Sequence, residues 1–271
     1  GAIKTARKYA AVHKGEDYYT IITLTNSFHG RTITTLAATG QEHYHELFQP
    51  LTPGFVDVPA NDISAMEAAV KSHKVAGILF ECIQGEGGVL PLEKDYVRQL
   101  SELAKREDIL LMVDEVQTGN GRTGKLYAYM NYGIEPDVVS TAKGLGGGLP
   151  IGAVLFGEKT KDTLQPGEHA STFGGNPVCC AGAVSIISRL SDDFLAEVVA
   201  KGAYVRRCLL AMDGVEEVTG MGLMIGIKTK KHIQKLLKKF MELIASLNSK
   251  LNTLQLSRRS SNNESCINYS S

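Results

Sequence analysis

Short apolar runs alternate with amphipathic stretches along most of this chain. The runs are rich in valine, isoleucine and leucine, which is typical of strands buried on both faces of a parallel sheet. Strands are predicted at 19–24, 55–58, 75–80, 109–113, 138–140, 151–156, 215–218 and 223–227. Helical spacing of apolar residues predicts helices at 2–13, 32–38, 62–72, 94–106, 179–190 and 194–210. The alternation predicts an α/β fold with a mainly parallel sheet covered on both faces.

The pattern changes abruptly after residue 227. From 233 to 254, apolar residues follow helical spacing among lysines, which predicts a basic amphipathic helix. Such a helix can bind a membrane surface or a calmodulin-like partner, although packing against the body of the protein is the favoured interpretation. Residues 257–263 offer little apolar surface to bury, so we predict that they are disordered.

Composition narrows the classes of protein that fit. The 271 residues are 43% hydrophobic and 21% charged, which is typical of a globular protein. Zero formal net charge and the lack of a bilayer-length apolar stretch indicate neither a nucleic-acid nor a membrane partner. Five cysteines without a C-x-x-C pair indicate buried thiols of a cytoplasmic protein. The N-terminus has no initiator methionine and no apolar signal region, so we expect the chain to begin inside a longer protein.

Two charged residues close apolar runs at positions where α/β proteins bind ligands. Asp114 follows 109–113, and Lys143 follows 137–142 and opens the glycine-rich stretch 144–148. In open α/β sheets, ligands bind at the carboxyl ends of the strands. Pyridoxal phosphate needs an acid that keeps its ring nitrogen protonated and an amine that forms a Schiff base. The pair therefore predicts a pyridoxal-phosphate site with Lys143 in a desolvated pocket, although alone either residue is more often a strand-end charge that reaches solvent.

A glycine motif after Asp114 suggests a different cofactor. Residues 119–124 match G-x-G-x-x-G. A dinucleotide-binding fingerprint begins directly after a strand and runs into a helix, whereas residues 114–118 intervene here. A nicotinamide oxidoreductase is therefore the weaker alternative.

Three further segments carry candidate chemistry. In 28–31, Phe28 or His29 could lie over a planar ring, and Arg31 could bind a carboxylate. In 171–177, hydroxyls near a predicted helix start could bind phosphate or simply cap the helix. His43 and His45 lack a third ligand, so no metal site is expected.

Together, the segments 27–32, 81–88, 114–119, 140–148 and 171–177 resemble class III, fold-type I pyridoxal-phosphate aminotransferases. The resemblance covers residues 1 to about 229, with the five motifs in family order. It is strongest to the acetylornithine aminotransferases, with ornithine aminotransferases as relatives. It implies a fold-type I large domain plus part of a small C-terminal α/β domain.

The resemblance assigns cofactor-binding roles to five positions. Lys143 would form the Schiff base and carry a proton during catalysis. Asp114 would pair with the ring nitrogen, Val116 would lie against the ring, and Gln117 would bind the ring hydroxyl. Phe28 would stack on the opposite ring face.

Four further positions receive roles at the substrate or the partner subunit. Thr172 would reach the phosphate of the cofactor in the other subunit of a homodimer. Arg31 and Ser171 would contact the acylated amino-acid substrate. Glu86 would pair with a substrate-site arginine.

The implied reaction transfers an amino group between N2-acetylornithine and 2-oxoglutarate, giving N-acetylglutamate 5-semialdehyde and glutamate in arginine biosynthesis. Ornithine or another ω-amino acid as substrate, or a catalytically dead fragment, stays an open alternative. The family's phosphate-binding cup would precede Ala2, Cys82 replaces a proline, and nothing after 229 matches the family's arginine-bearing segment. We therefore expect little cofactor affinity, solubility or turnover from this chain alone.

The resemblance and these departures together divide the chain into three predicted regions. Residues 1–190 would form the cofactor-binding large domain, incomplete at its N-terminus, and 191–229 would begin the small domain. Residues 230–271 would be a divergent basic helix and a disordered tail, for which a frameshift in an A/T-rich gene is one hypothesis.

Overall fold

A computed structural model describes residues 1–229, 256–261 and 264–269. The helices in these ranges are α1 (Ala2–His13), α2 (Ile33–Ala37), α3 (Ile63–Ser72), α4 (Lys94–Arg106), α5 (Pro177–Ile187) and α6 (Asp192–Leu210). The first ten strands are β1 (Thr20–Leu24), β2 (Phe55–Val58), β3 (Val75–Phe80), β4 (Ile83–Gln84), β5 (Leu90–Pro91), β6 (Leu110–Asp114), β7 (Val138–Thr141), β8 (Ala153–Phe156), β9 (Val215–Met221) and β10 (Met224–Thr229). Every helix and strand predicted within residues 1–229 is present, with ends at the predicted residues or up to three residues away. The short pair β4 and β5 was not predicted.

A six-stranded sheet with the order β2-β1-β3-β6-β7-β8 forms the centre of the fold. Its first five strands are parallel, and β8 pairs antiparallel with β7. The predicted mainly parallel sheet is therefore confirmed. Among the described helices, none is long and apolar enough to cross a bilayer.

Side chains from successive positions of a central strand enter two separate apolar layers. In β6, Leu111 and Val113 join the layer beneath α3 and α4, whereas Leu110 and Met112 join the layer beneath α1. This alternation follows from the two-residue period of a strand. Both layers exclude water, so the residues that chemistry can use lie at the strand ends.

A second, two-stranded sheet of β9 and β10 packs against α6. A Cβ added to Gly202 of α6 would lie 2.1 Å from the carbonyl oxygen of Gly222, so the helix approaches the β9–β10 turn closely only because residue 202 is glycine. The Leu223 amide donates to the Arg122 carbonyl at 3.0 Å, which joins this hairpin to the loop after β6. The division at residue 190 into large and small domains stays a prediction.

The C-terminal part differs from the expectation. Strands β11 (Leu256–Ser261) and β12 (Glu264–Tyr269) pair antiparallel, so the prediction of disorder over 257–263 is wrong for 257–261. An antiparallel ladder gives backbone amides and carbonyls their partners without a large apolar core, and 264–269 contains strand-favouring isoleucine and tyrosine. The basic helix predicted at 233–254 lies outside the described residues.

Glu115 is a buried carboxylate that holds the chain after β6 in place. It accepts hydrogen bonds from the amides of Ala128 at 2.9 Å and Tyr129 at 2.8 Å, and from the Thr118 hydroxyl. Burial raises the pKa of Glu115 to about 7, against the opposing effect of these donors. The protonated form is therefore favoured more strongly in the folded than in the unfolded state.

We expect this carboxyl to make stability depend on pH. Its pKa rises from about 4.5 unfolded to about 7 folded, so the folded state binds the proton more tightly between these values. The free energy of unfolding should therefore fall as pH rises through this window, by roughly 3 kcal/mol for this group. Urea unfolding of the wild type and Glu115→Gln at pH 4.5 and 8 measures it.

Glu115→Gln should show a smaller fall with pH because the titrating group is gone. Glu102→Gln, an exposed change on α4, is the matched control and should keep the wild-type dependence. An identical pH dependence in Glu115→Gln and the wild type would contradict the assignment.

Candidate active site

Four segments meet at the carboxyl edge of the central sheet. They follow β1, β3, β6 and β7, which are parallel and whose carboxyl ends therefore point the same way. Within the sheet, Asp114 pairs in register with Ser140, three residues before Lys143. The predicted acid and amine thus lie at the ends of neighbouring strands.

Asp114 is held by a buried partner that the sequence did not identify in this role. The Nδ1–H of His29 donates to Asp114 Oδ2 at 2.8 Å, and the two side chains are only 1% and 10% exposed. The Val116 amide donates to Asp114 Oδ1 at 3.0 Å. Each carboxylate oxygen keeps accepting capacity for a further donor. Asp114 is therefore an oriented carboxylate with room for a ring N–H.

Lys143 begins a tight turn with unusual backbone geometry. Its φ is +46°, in the left-handed region that residues other than glycine rarely adopt. Asn120 Nδ2 donates to the Thr141 hydroxyl and the Ala142 carbonyl, each at 3.1 Å, and so fixes the chain just before the lysine. Such strain is typical of functional sites.

The expectation of a desolvated lysine is not met, because Lys143 is exposed. The residue lies beyond the end of β7, at the edge of the sheet rather than between its apolar layers. The amine is therefore accessible to a ligand that enters the crevice.

Gln117 provides the clearest sign that the crevice fits a polar planar group. Its Oε1 is buried and has no hydrogen-bond partner among the described residues. A Cβ on Gly85 would lie 1.3 Å from this oxygen, so only glycine at position 85 leaves room for it. A buried amide oxygen without a donor is costly, and a ligand hydroxyl could satisfy it. Together with Asp114 and Lys143, this amide fits the ring of pyridoxal phosphate.

An aromatic pair carries Arg31 at the rim of the site. Phe28 and Tyr44 meet edge to face with centroids 5.4 Å apart. The Arg31 guanidinium lies 5.5 Å from the Phe28 centroid and 5.1 Å from that of Tyr44. The arginine is exposed, so its forked donors can reach an incoming carboxylate. Phe28 itself is half-buried next to His29.

Glu86 lies in the loop between β4 and β5, which is fastened to the end of β1. Asn26 Nδ2 donates to the Gly87 carbonyl at 3.0 Å, and Gln84 Nε2 donates to the Thr25 carbonyl at 2.9 Å. Glu86 is half-buried. The structure thus places this predicted substrate residue beside the segment that carries Phe28 and His29.

Ser171 and Thr172 lie in an exposed turn before α5. Ser171 lines a cleft of about 800 Å³ that Thr141 and Gly152 also line, next to the end of β7. Asn176, rather than either hydroxyl, caps α5, because its Oδ1 accepts from the amides of Val178 and Cys179. Ser171 therefore adjoins the crevice through this cleft, and Thr172 is a surface residue of this chain.

The structure also bears on the glycine motif at 119–124 and on metal binding. Residues 119–124 form turns and no helix follows them directly, so the dinucleotide geometry is not present in this described segment. Across the described ranges, no group of three or more His, Cys, Asp or Glu side chains could hold a metal ion.

Sequence reasoning missed three contributors to the site. His29 was one of two candidates for a ring face and instead binds Asp114. Asn120 anchors the residues before Lys143, and Glu81 lies buried at the end of β3. A signal existed for Glu81, since it closes the apolar strand β3 as Asp114 closes β6.

Comparison with known proteins identifies a family. The aminotransferase class-III family matches residues 1–250. This range includes residues 228–250, the first part of the C-terminal stretch in which the sequence pattern changes. The acetylornithine aminotransferase of Haemophilus ducreyi is 48% identical over 233 residues, covering 86% of this chain and 59% of that protein. That of Caldanaerobacter subterraneus is 49% identical, covering 83% and 58%. The chain thus spans about three fifths of these relatives.

Solved structures agree in fold. An ornithine aminotransferase of Toxoplasma gondii, described with partial occupancy of PLP at its active site, superimposes with a TM-score of 0.79 at 38% identity, covering 84% of this chain and 56% of that one. The N-acetylornithine aminotransferase of Stenotrophomonas maltophilia gives 0.73 at 31% identity, covering 99% and 64%. These neighbours confirm the fold-type I architecture, and the chain belongs to the class III aminotransferase family.

Proposed function

We propose that this chain contributes the cofactor-binding core of a pyridoxal-phosphate-dependent acetylornithine aminotransferase. The reaction would convert N2-acetylornithine and 2-oxoglutarate to N-acetylglutamate 5-semialdehyde and glutamate, in arginine biosynthesis. The observation that carries the proposal is the pairing of an oriented carboxylate, Asp114, with an accessible lysine, Lys143, at the ends of adjacent strands. Family membership and the acetylornithine aminotransferase relatives support the reaction class.

Asp114 would keep a ring nitrogen protonated. Pyridoxal phosphate supplies an electron-accepting ring that stabilises negative charge at the substrate's Cα. A carboxylate next to a pyridine nitrogen favours its charged form, and the hydrogen bond from His29 fixes the direction in which Asp114 points. Val116 would lie against the ring, and Gln117 would bind its hydroxyl.

Lys143 would move the proton. Its Nζ would hold the cofactor covalently, and the same amine would act as base at the substrate's Cα and then as acid. The strained turn and the hydrogen bonds from Asn120 hold the backbone around this residue, so the amine returns to one place.

Substrate recognition would use charge at the rim. Arg31, supported on the rings of Phe28 and Tyr44, offers forked donors for the carboxylate of the acylated substrate. Ser171 would contact the same substrate from the adjoining cleft. Glu86 would pair with an arginine of the substrate site. Phe28 would also cover one face of the ring.

The proposed assembly is a cytoplasmic homodimer. Thr172 projects from an exposed turn, which is consistent with its binding the phosphate of the partner subunit's cofactor. The proposed partners are the amino-acid and 2-oxo-acid substrates, with neither nucleic acid nor membrane involved.

Ornithine is the second candidate substrate. The Toxoplasma gondii ornithine aminotransferase structures superimpose with TM-scores of 0.79 and 0.85. Glutamate formation from 2-oxoglutarate, measured with N2-acetylornithine and with ornithine in parallel, separates the two. A larger kcat/KM for ornithine would overturn the acetylated substrate.

Covalent labelling tests the lysine. With pyridoxal phosphate added, the chain should develop a visible absorbance band, and borohydride should fix the cofactor on Lys143 because this residue is exposed at the carboxyl edge of the sheet. Peptide mass spectrometry locates the label. Lys125→Ala, a change at another exposed lysine, should leave the label in place.

Lys143→Ala should abolish the specific label and the visible band. Labelling spread over many lysines, unchanged in Lys143→Ala, would refute the assignment of Lys143.

Replacing Asp114 by Asn tests the carboxylate. The amide keeps the shape and can still accept from His29, but its neutral charge no longer favours a protonated ring nitrogen. Loss of a buried charge partner costs roughly 3–5 kcal/mol, so kcat should fall by at least about 100-fold while Lys143 still binds the cofactor.

The comparison needs a background with measurable turnover, such as a longer relative with the same motif. Asp62→Asn is the control there, because asparagine can still cap α3 as Asp62 does. A near-normal kcat in Asp114→Asn would show that this carboxylate is structural.

A further inference from the structure

Glu81 is a buried carboxylate that the proposed chemistry does not use. It follows β3 directly and is 5% exposed. Its Oε2 accepts the Phe28 amide at 3.0 Å, and its Oε1 accepts the Gly85 amide at 3.2 Å. One side chain thus binds two backbone segments that are more than fifty residues apart in sequence.

The two segments are the ones that carry the rim of the site. The first follows β1 and includes Phe28 and His29, and the second is the loop that carries Gly85 and Glu86. Their direct contact is close, because a Cβ on Gly87 would lie 2.3 Å from Asn26 Nδ2. Glu81 lies behind this contact, at the end of the strand between β1 and β6 in the sheet.

We propose that Glu81 is a positioning residue that fastens these two segments together and thereby sets His29, Phe28 and Glu86 at the site. The fastening follows from the two hydrogen bonds alone. Its consequence for the cofactor and the substrate rests on the proposed function.

Both keeping and removing the Glu81 carboxylate cost free energy. Burial raises the pKa of Glu81 to about 7, with Asp114 adding to the rise and His29 and the two amides opposing it. A charged acceptor makes stronger hydrogen bonds than a neutral one. Without the carboxylate, the amides of Phe28 and Gly85 would be left as buried donors.

Glu115 provides a matched control within the same chain. It too is a buried carboxylate that accepts two backbone amides, and burial raises its pKa to about 7 as well. Its amides belong to Ala128 and Tyr129, which are outside the two rim segments. Glu81→Gln and Glu115→Gln therefore each remove a buried carboxylate that accepts two backbone amides, but the amides belong to different segments.

The experiment is amide hydrogen exchange on the whole chain without cofactor, resolved at single residues by mass spectrometry with electron-transfer fragmentation. In Glu81→Gln, exchange at Phe28, at Gly85 or at both should accelerate by about tenfold or more, since glutamine has one oxygen in place of the two that accept these amides. Ala128 and Tyr129 should keep their protection. Glu115→Gln should give the reverse pattern.

A second readout concerns pyridoxal phosphate itself. Equilibrium dialysis should show that Glu81→Gln weakens the apparent affinity for the cofactor by about tenfold, because the segment that carries His29 is no longer held. Glu102→Gln, the exposed change on α4, should change this affinity less than about twofold. Uniform acceleration of exchange across the chain, or unchanged exchange at Phe28 and Gly85, would overturn the proposal. Faster exchange at either amide together with failed labelling of Lys143 would keep the fastening and reject the proposed function.

Discussion

The hydrogen bond between His29 and Asp114 connects the segment after β1 to the end of β6, two parts of the site that the sheet alone does not connect. The sheet delivers Asp114 and Lys143 to neighbouring strand ends, because β6 and β7 are parallel and in register. It does not direct the carboxylate. His29 does so from the segment after β1, and both side chains are almost fully buried, so neither can easily turn toward solvent. The orientation of the acid therefore depends on the position of a loop on the far side of β3.

Buried carboxylates at this edge of the sheet hold neighbouring backbone segments in place. Glu81, Asp114 and Glu115 are all buried, and each accepts at least one backbone amide. Burial raises the pKa of Glu81 and of Glu115, and the nearby carboxylate of Asp114 adds to both rises. Burying such groups costs free energy unless hydrogen bonds compensate. Here the compensation comes from loop amides, so each carboxylate also fixes a loop for which no strand pairing is available.

Local pattern was enough to predict the central elements and the ends of β6 and β7. Buried strands appear as apolar runs, and Asp114 and Lys143 are visible as the charges that close them. Partners distant in sequence were not predictable in this way. His29 lies 85 residues from Asp114, and nothing in its neighbourhood shows that its ring turns inward to a carboxylate. The wrong prediction at 257–261 has a related cause, since a polar strand is stabilised by backbone pairing with 264–269 and carries little apolar signal of its own.

The site therefore combines a rigid component with an adjustable one. Asp114 ends β6, whose side chains fill both apolar layers, so its backbone can move only if the core moves. Lys143 follows β7, which pairs with β6. Phe28, Arg31 and Glu86 are attached to loops, whose positions depend on a few polar contacts. Changes in those contacts can alter what the rim accepts without disturbing the strand ends. In the proposed function, the chemistry would reside at the strand ends and the choice of substrate on the loops, and Glu81 would be the residue at which the two components meet.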